Sequence, residues 1–294
     1  MRKFIQQLRD PHLVYLKVLG KIDHKLLWKK LSGMNTDPFR GKVSLILSFD
    51  CDTEKDIEVV SAVHARLEKM GIKPVYAVPG QLLIKGENEY GKLRDKGCDF
   101  INHGFLSHSL YNPETLEYKN KFIYSDLTPE EIKEDILKGH ETLKIFLGKS
   151  PKGFRTPHFG TFQDPFEMNF LYSFLKELEY EYSSSAMPRM SFQKGPFYKD
   201  VSGIIEFPVT GTFDRPFEVL DSYSFGHSRK NKWKKEDFKT QFNKILTYYS
   251  TQNSGCLINL YADPSQVHEW DDFFNCLNAV PYKLNSFDRL ISHD

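Results

Sequence analysis

From residue 42 onward the chain alternates short apolar runs with amphipathic helical stretches, and that alternation restricts the fold more than any other feature. Val43–Phe49 (VSLILSF) is a buried apolar run too short for a core helix, which predicts a strand. Asp56–Met70 follows with Ile57, Val60, Val63 and Leu67 on one helical face, and Pro74–Val78 reads as a second strand. A helical stretch ends over Gly91–Cys98, before a third strand over Phe100–His103. Leu127–Leu147 carries the clearest helical signature, with Thr128 as cap, Pro129 at the first helical position and Glu131 completing a capping box. Strands are expected over Gly153–Arg155, Glu181–Ser185, Ile204–Val209 and Gly255–Tyr261, and helices over Phe166–Tyr180, Glu236–Thr251 and Pro264–Ala279. Strand–helix alternation implies an α/β fold with a parallel sheet and right-handed crossovers, and about seven such units imply a closed or nearly closed barrel.

Charge is distributed unevenly. The net formal charge of +1 exerts no global pull on a polyanion, so no nucleic-acid partner is expected. Residues 1–32, however, hold eight Lys/Arg against Asp10 and Asp23, a surplus of +6, which leaves −5 for the remainder. After Pro11, the residues Tyr15, Val18, Leu19, Ile22 and Leu26 fall on one helical face. Residues 1–40 therefore read as a basic amphipathic helical extension ahead of a barrel domain over 41–294. Such a helix suits adsorption to an anionic membrane surface, or packing on its own domain or a second subunit. The N-terminus lacks the apolar core and small-residue cleavage site of a secretory signal, and no run reaches the length of a membrane span. Cys51, Cys98, Cys256 and Cys276 show no paired spacing and read as reduced thiols. The expected setting is cytoplasmic, with a peripheral membrane association as an option.

In a parallel barrel, chemistry gathers where the strands end, because the loops there converge on one mouth. Four strand ends carry unusual polar residues: Asp50-Cys51-Asp52, His103-Gly104-Phe105-Leu106-Ser107-His108, Arg155-Thr156-Pro157-His158 and Tyr261-Ala262-Asp263. One carboxylate and two imidazoles can hold zinc, iron, cobalt or manganese with positions left open for water. A second carboxylate can act as a base, an arginine can keep it ionised and aimed, and backbone N–H groups in a Pro-containing turn can receive an oxyanion. Those parts suffice to hydrolyse an amide without a covalent intermediate.

In this order, from Lys42 to Val267, the four fragments resemble the polysaccharide deacetylase family with its NodB-homology domain. The resemblance implies a distorted (β/α)7-type barrel and an N-deacetylase. It implies Asp50 as general base, and Asp52, His103 and His108 as ligands of a divalent metal, zinc first, with cobalt, manganese, iron or nickel as alternatives. Arg155 would orient Asp50, and the backbone N–H of His158, which stands in the aromatic slot of the third motif, would help form the oxyanion hole. The family's histidines stand four residues apart, whereas here the spacing is five, which on a helix would point them about 140° apart. A loop or bulge is therefore expected between them. In the last motif the family's general-acid histidine is absent and Asp263 falls closest to its place, with His158 and His227 as alternative donors; Asp263 would serve equally as a helix cap before Pro264.

Gly211–Lys235, with Asp214, Asp221, His227 and Trp233, is expected to cover the mouth as a loop, and sugar contacts are expected from Pro157, Phe213, Tyr223 and Tyr261. The implied substrate is an N-acetylated sugar, on a nucleotide or polyprenyl carrier in surface polysaccharide biosynthesis. A hydrolase of another amide (allantoinase-like or acting on a cyclic imide) and a non-catalytic carbohydrate binder remain the alternatives.

Overall fold

The computed structural model describes residues 11–34, 39, 41–115, 117–228, 233–252 and 254–291. Two helices lead, α1 (Pro11–Ile22) and α2 (His24–Ser32), separated at Asp23, whose side chain accepts from the Lys25 N–H and caps α2. The first half of the barrel then runs β1 (Val43–Asp50), α3 (Glu54–Glu68), β2 (Val75–Val78), α4 (Gly80–Lys85), α5 (Glu87–Asp95) and β3 (Phe100–Asn102). A hairpin of β4 (Ser109–Asn112) and β5 (Glu117–Asn120) precedes α6 (Pro129–Leu147), β6 (Gly153–Phe154), α7 (Pro165–Glu177) and β7 (Tyr182–Ser183). The chain continues through α8 (Arg189–Lys194), β8 (Tyr198–Lys199), β9 (Ile205–Glu206), α9 (Ser222–Gly226), α10 (Lys235–Gln252) and β10 (Cys256–Ala262). It ends with α11 (Pro264–Val267), α12 (Asp271–Asn278), β11 (Tyr282–Leu284) and α13 (Asp288–Ile291).

The sheet order is β10-β1-β2-β3-β6-β7-β9-β8, parallel except for the β8–β9 pair. β1 is long enough to serve three neighbours. β10 runs along one side of it, while on the other its first half pairs with β11 and its second half with β2. The sheet curls into a half-barrel, and the gap between β9 and β10 is bridged mainly by one side chain. Asn259 Nδ2 donates to the carbonyls of Phe207 and Pro208, while Thr210 N–H donates to Asn259 O. The expected barrel class is therefore present, closed by hydrogen bonds from Asn259 rather than by a continuous ladder.

Three local differences have physical reasons. The helix expected over Pro264–Ala279 breaks at Trp270, which leaves helical geometry (ψ 86) and buries its ring on Phe238 and Phe273. The β4–β5 hairpin and β11 are too short and too polar to carry a strand signal. The loop expected over Gly211–Lys235 contains α9, capped by Asp221. By contrast α6 begins at Pro129 behind the expected Thr128–Glu131 capping box and stops at left-handed Gly148. All four cysteines are free and buried.

The largest core cluster joins β1, β10, α3, α10 and α12, and Leu27, Trp28 and Leu31 of α2 are part of it. Trp28 is 1% exposed, donates its indole N–H to Phe213 O at 2.9 Å, and stacks on the Phe213 ring.

Candidate metal centre and active-site cleft

Asp50 ends β1, Asp52 lies two residues on, and both line the same cleft. The turn is held by Asp56, which accepts from the N–H and hydroxyl of Thr53 and from the Ser265 N–H, tying the start of α3 to α11. His103 follows β3, and His108 precedes β4, both fully buried. Between them the chain is a loop, as the five-residue spacing requires. Gly104 adopts φ +74, and a Cβ there would collide with the Asp135 carboxylate and the Tyr124 hydroxyl. Asp135 of α6 organises the loop: Oδ1 accepts from the N–H groups of Phe105 (3.1 Å) and Leu106 (2.8 Å), and Oδ2 from Tyr124 OH (2.6 Å). The inserted residue is thereby absorbed, and His108 returns to the site.

The geometry at the three candidate ligands is specific. His103 Nε2 and His108 Nε2 approach Asp52 Oδ1 at 3.2 and 3.0 Å, and all three atoms are buried without a hydrogen-bond partner. Buried polar atoms are seldom left unpaired. Donors each about 2.0–2.1 Å from one ion would stand roughly 3 Å apart, so the spacing fits a shared divalent cation. His103 Nδ1–H donates to Arg155 O at 2.8 Å; because a carbonyl only accepts, the proton is fixed there and Nε2 presents its lone pair to the site. The Asp52, His103 and His108 donor atoms lie within 4.8 Å of one another. Burial opposes ionisation of Asp52, but His108 and His103 overcome it and hold its carboxyl well below the usual range.

Arg155, fully buried after β6, donates from Nη1 to Asp50 Oδ1 and to Ser48 Oγ, each at 2.7 Å. Its Nε and Nη2 are taken by Ser184 O and Oγ, so the guanidinium has a single orientation. The other Asp50 oxygen, Oδ2, faces the cluster, 4.0 Å from His103 Nε2.

Across the cleft, Asp263 occupies the N-cap position of α11 but makes no capping bond with its side chain. It instead accepts from Gln266 Nε2, while its own N–H donates to Ser222 Oγ, which bonds Gln266 Oε1. Burial, then the nearby charges of Asp52, Asp56, Asp50 and Asp221, raise the Asp263 carboxyl well above the ordinary range. Asp221 accepts from Tyr261 OH at 2.6 Å, and burial pushes it up to about 6.

Asp50, Asp52, His158, Tyr223, Tyr261 and Asp263 line one open cleft of about 670 Å³. Five expected residues need correction or a different placement. Phe213 is core, wedged between Trp28 and Tyr248 and 6% exposed, so it cannot stack on a ligand. Trp233 packs on Phe225 and donates to Glu218. Pro157 is buried and does not line the cleft, whereas Phe159, two residues on, does, 4.4 Å from Tyr261 between ring centroids. His158, at φ 58, donates Nε2–H to His108 O at 3.1 Å, and burial lowers its pKa to about 4; its one ring proton is committed to supporting His108. His227 lines the cleft against Tyr118, and burial lowers its pKa to about 4, so neither imidazole is a protonated donor at neutral pH.

Sequence reasoning missed Asp135, Tyr118 and Gln266. A signal existed for the first. Ile132, Asp135, Ile136, Gly139 and Leu143 share one buried helical stripe, and a carboxylate in such a stripe needs donors.

The parallel half-barrel thus carries, at its strand ends, a carboxylate–imidazole cluster beside an arginine-held carboxylate. Residues 39–169 match the polysaccharide deacetylase family model, in keeping with the resemblance carried by the motifs. The matched stretch contains Asp50, Asp52, His103, His108 and Arg155 but ends ahead of β10, leaving Asp263 outside it. A polysaccharide-deacetylase candidate from Mycobacterium smegmatis superposes with a TM-score of 0.60 at 13% identity, covering 86% of this chain and 90% of that one. A counterpart from Pseudomonas aeruginosa PAO1 gives 0.57 at 11% identity, covering 87% and 91%. Puue allantoinase gives 0.55 at 10% identity, covering 86% of each chain. At these identities the likeness is one of fold. No curated protein matches the sequence.

Proposed function

We propose that the protein hydrolyses the N-acetyl amide of a sugar, with a divalent metal, zinc first, held by Asp52, His103 and His108. The observation that carries the reading is the convergence of three buried, otherwise unpartnered donor atoms beside an arginine-held carboxylate. A cation there would supply Lewis acidity and a water more acidic than bulk. Asp50, aimed by Arg155, whose Nη1 also donates to Ser48, takes the proton of the attacking water through Oδ2. Water oxygen adds to the amide carbon, the developing oxyanion is received by the backbone N–H of His158, and the C–N bond breaks. Asp263 delivers a proton to the departing sugar nitrogen, and acetate and free amine leave. Tyr223, half in solvent, and the Phe159–Tyr261 pair offer apolar faces to the sugar ring.

The cleft is wide and open enough for a sugar still joined to a nucleotide or polyprenyl phosphate, and such a precursor in surface polysaccharide synthesis is the substrate class we favour. Four buried free cysteines are in keeping with a cytoplasmic setting. Acetate release from carrier-linked N-acetyl sugars, measured with metal content, tests the reading. Asp50→Asn is expected to lose about 10²–10⁴-fold in kcat while keeping its metal. His103→Ala is expected to lose the metal itself. Equal turnover by Asp50→Asn and the parent chain would overturn the assignment.

A further inference from the structure

We propose that the solvent-facing side of α1 and α2 lies on an anionic lipid surface. α1 has two apolar faces. Leu16 is fully buried in the main core, yet Val18, about 160° round the helix at roughly 100° per residue, is 50% exposed. Val14, Tyr15 and Ile22 share the outer face with Val18, and Ile22 is 79% exposed; Leu26 extends the stripe onto α2 at 45%. The core contacts of these helices are made by Leu16, Leu19, Leu27, Trp28 and Leu31, a set that does not include Val14, Val18, Ile22 or Leu26.

The flanking charge selects the occupant. Lys21, Lys25 and Lys29 are exposed; Lys21 adjoins Ile22, Lys25 adjoins Leu26, and Lys29 follows Leu26 by three residues on α2. A second copy meeting this face about a two-fold axis would bring lysines against lysines. A layer of acidic headgroups over acyl chains complements both the ammonium groups and the apolar strip between them. No helix among the described residues is long and apolar enough to cross a membrane, so the arrangement is one of lying on the surface.

The proposal stands apart from the deacetylase reading, and its test reads binding. The full chain is floated with vesicles of phosphatidylcholine, with and without phosphatidylglycerol. Binding is expected only with phosphatidylglycerol and is expected to fall with salt. Substituting Lys21, Lys25 and Lys29 together by Gln should weaken it about a hundredfold, at about fivefold for each charge removed near the surface. Val18→Ser with Ile22→Ser should weaken it about tenfold or more through lost apolar burial, with metal content and circular dichroism unchanged because both positions are exposed. Equal partition of the parent chain into both vesicle types overturns the proposal. So does a parent dimer in sedimentation velocity that Val18→Ser with Ile22→Ser disperses, since the face would then belong to a second copy.

Discussion

The two walls of the cleft treat carboxylates in opposite ways. Where β1, β3 and β6 end, each one meets a basic partner: Asp50 at 2.7 Å from Arg155 Nη1, Asp52 at 3.0 and 3.2 Å from two imidazoles. Where β10, α9 and α11 meet, Asp263, Asp221 and Asp56 are buried among hydroxyls, amides and one another. Burial raises all three, Asp221 and Asp56 to about 6 and Asp263 well above the usual range. On one wall the carboxylates thus face basic groups, while on the other burial raises them, Asp263 furthest, which makes Asp263 the proton-bearing carboxyl that acid–base hydrolysis needs.

The strongest way to break that division is Asp263→Asn. The amide still fills the space beside Gln266 but cannot give up a proton, so kcat is expected to fall about 10²–10⁴-fold. Metal content should not change, because Asp263 is no ligand. The sign of the pH effect follows from the raised pKa: the proton is present below it and lost above it, so activity should decline toward alkaline pH in the parent and not in the variant. A variant with parental kcat would leave the second wall without a chemical role.

Asp221→Asn sharpens the comparison through stability. In the unfolded chain an aspartate titrates near ~3.9, whereas folded Asp221 titrates at about 6. Below ~4 the group is protonated in both states and the fold has its full benefit. Between ~4 and about 6 the unfolded chain releases the proton first, so stability declines as pH rises through that window. By pH 7 the difference is on the order of 2–3 kcal/mol. Asn does not titrate, so the denaturation midpoint of the variant should gain on that of the parent across the window; a constant offset would show that burial does not raise Asp221.

These walls also differ in how far the sequence disclosed them. Asp50, Asp52, His103 and Arg155 sit at the ends of β1, β3 and β6, with only β2 between β1 and β3, so strand order brings them to one end of the sheet. The barrel was legible for the same reason: buried parallel strands leave continuous apolar runs, and α6 announced itself through Thr128 and Glu131. The opposite wall is assembled from turns. Tyr118 reaches Ser265 Oγ at 2.9 Å from a polar hairpin 147 residues away, and no local periodicity encodes that pairing. Phe213 failed as a ligand contact for a related reason. Its neighbourhood reads as loop, but Trp28, from the far end of the chain, supplies the ring that buries it.

Asp135→Asn tests how much of the ligand wall's order is imposed from behind. Asp135 touches no candidate ligand, and it acts by fixing the loop between His103 and His108 through three hydrogen bonds. Asn offers one acceptor oxygen where the carboxylate offers two, so either the Phe105 and Leu106 N–H pair or the Tyr124 hydroxyl loses its acceptor. The charge that strengthened those bonds is lost as well. Metal affinity is expected to fall about 10–100-fold, with most of kcat recovered at saturating metal, since Asp50, Arg155 and Asp263 stay in place. A purely structural role would instead lower the unfolding midpoint with affinity intact. Recovery at high metal also separates this variant from Asp263→Asn, whose deficit no metal concentration should repair. An unchanged affinity would mean that the five-residue loop holds its own shape and that the order of the ligand wall originates in β3 alone.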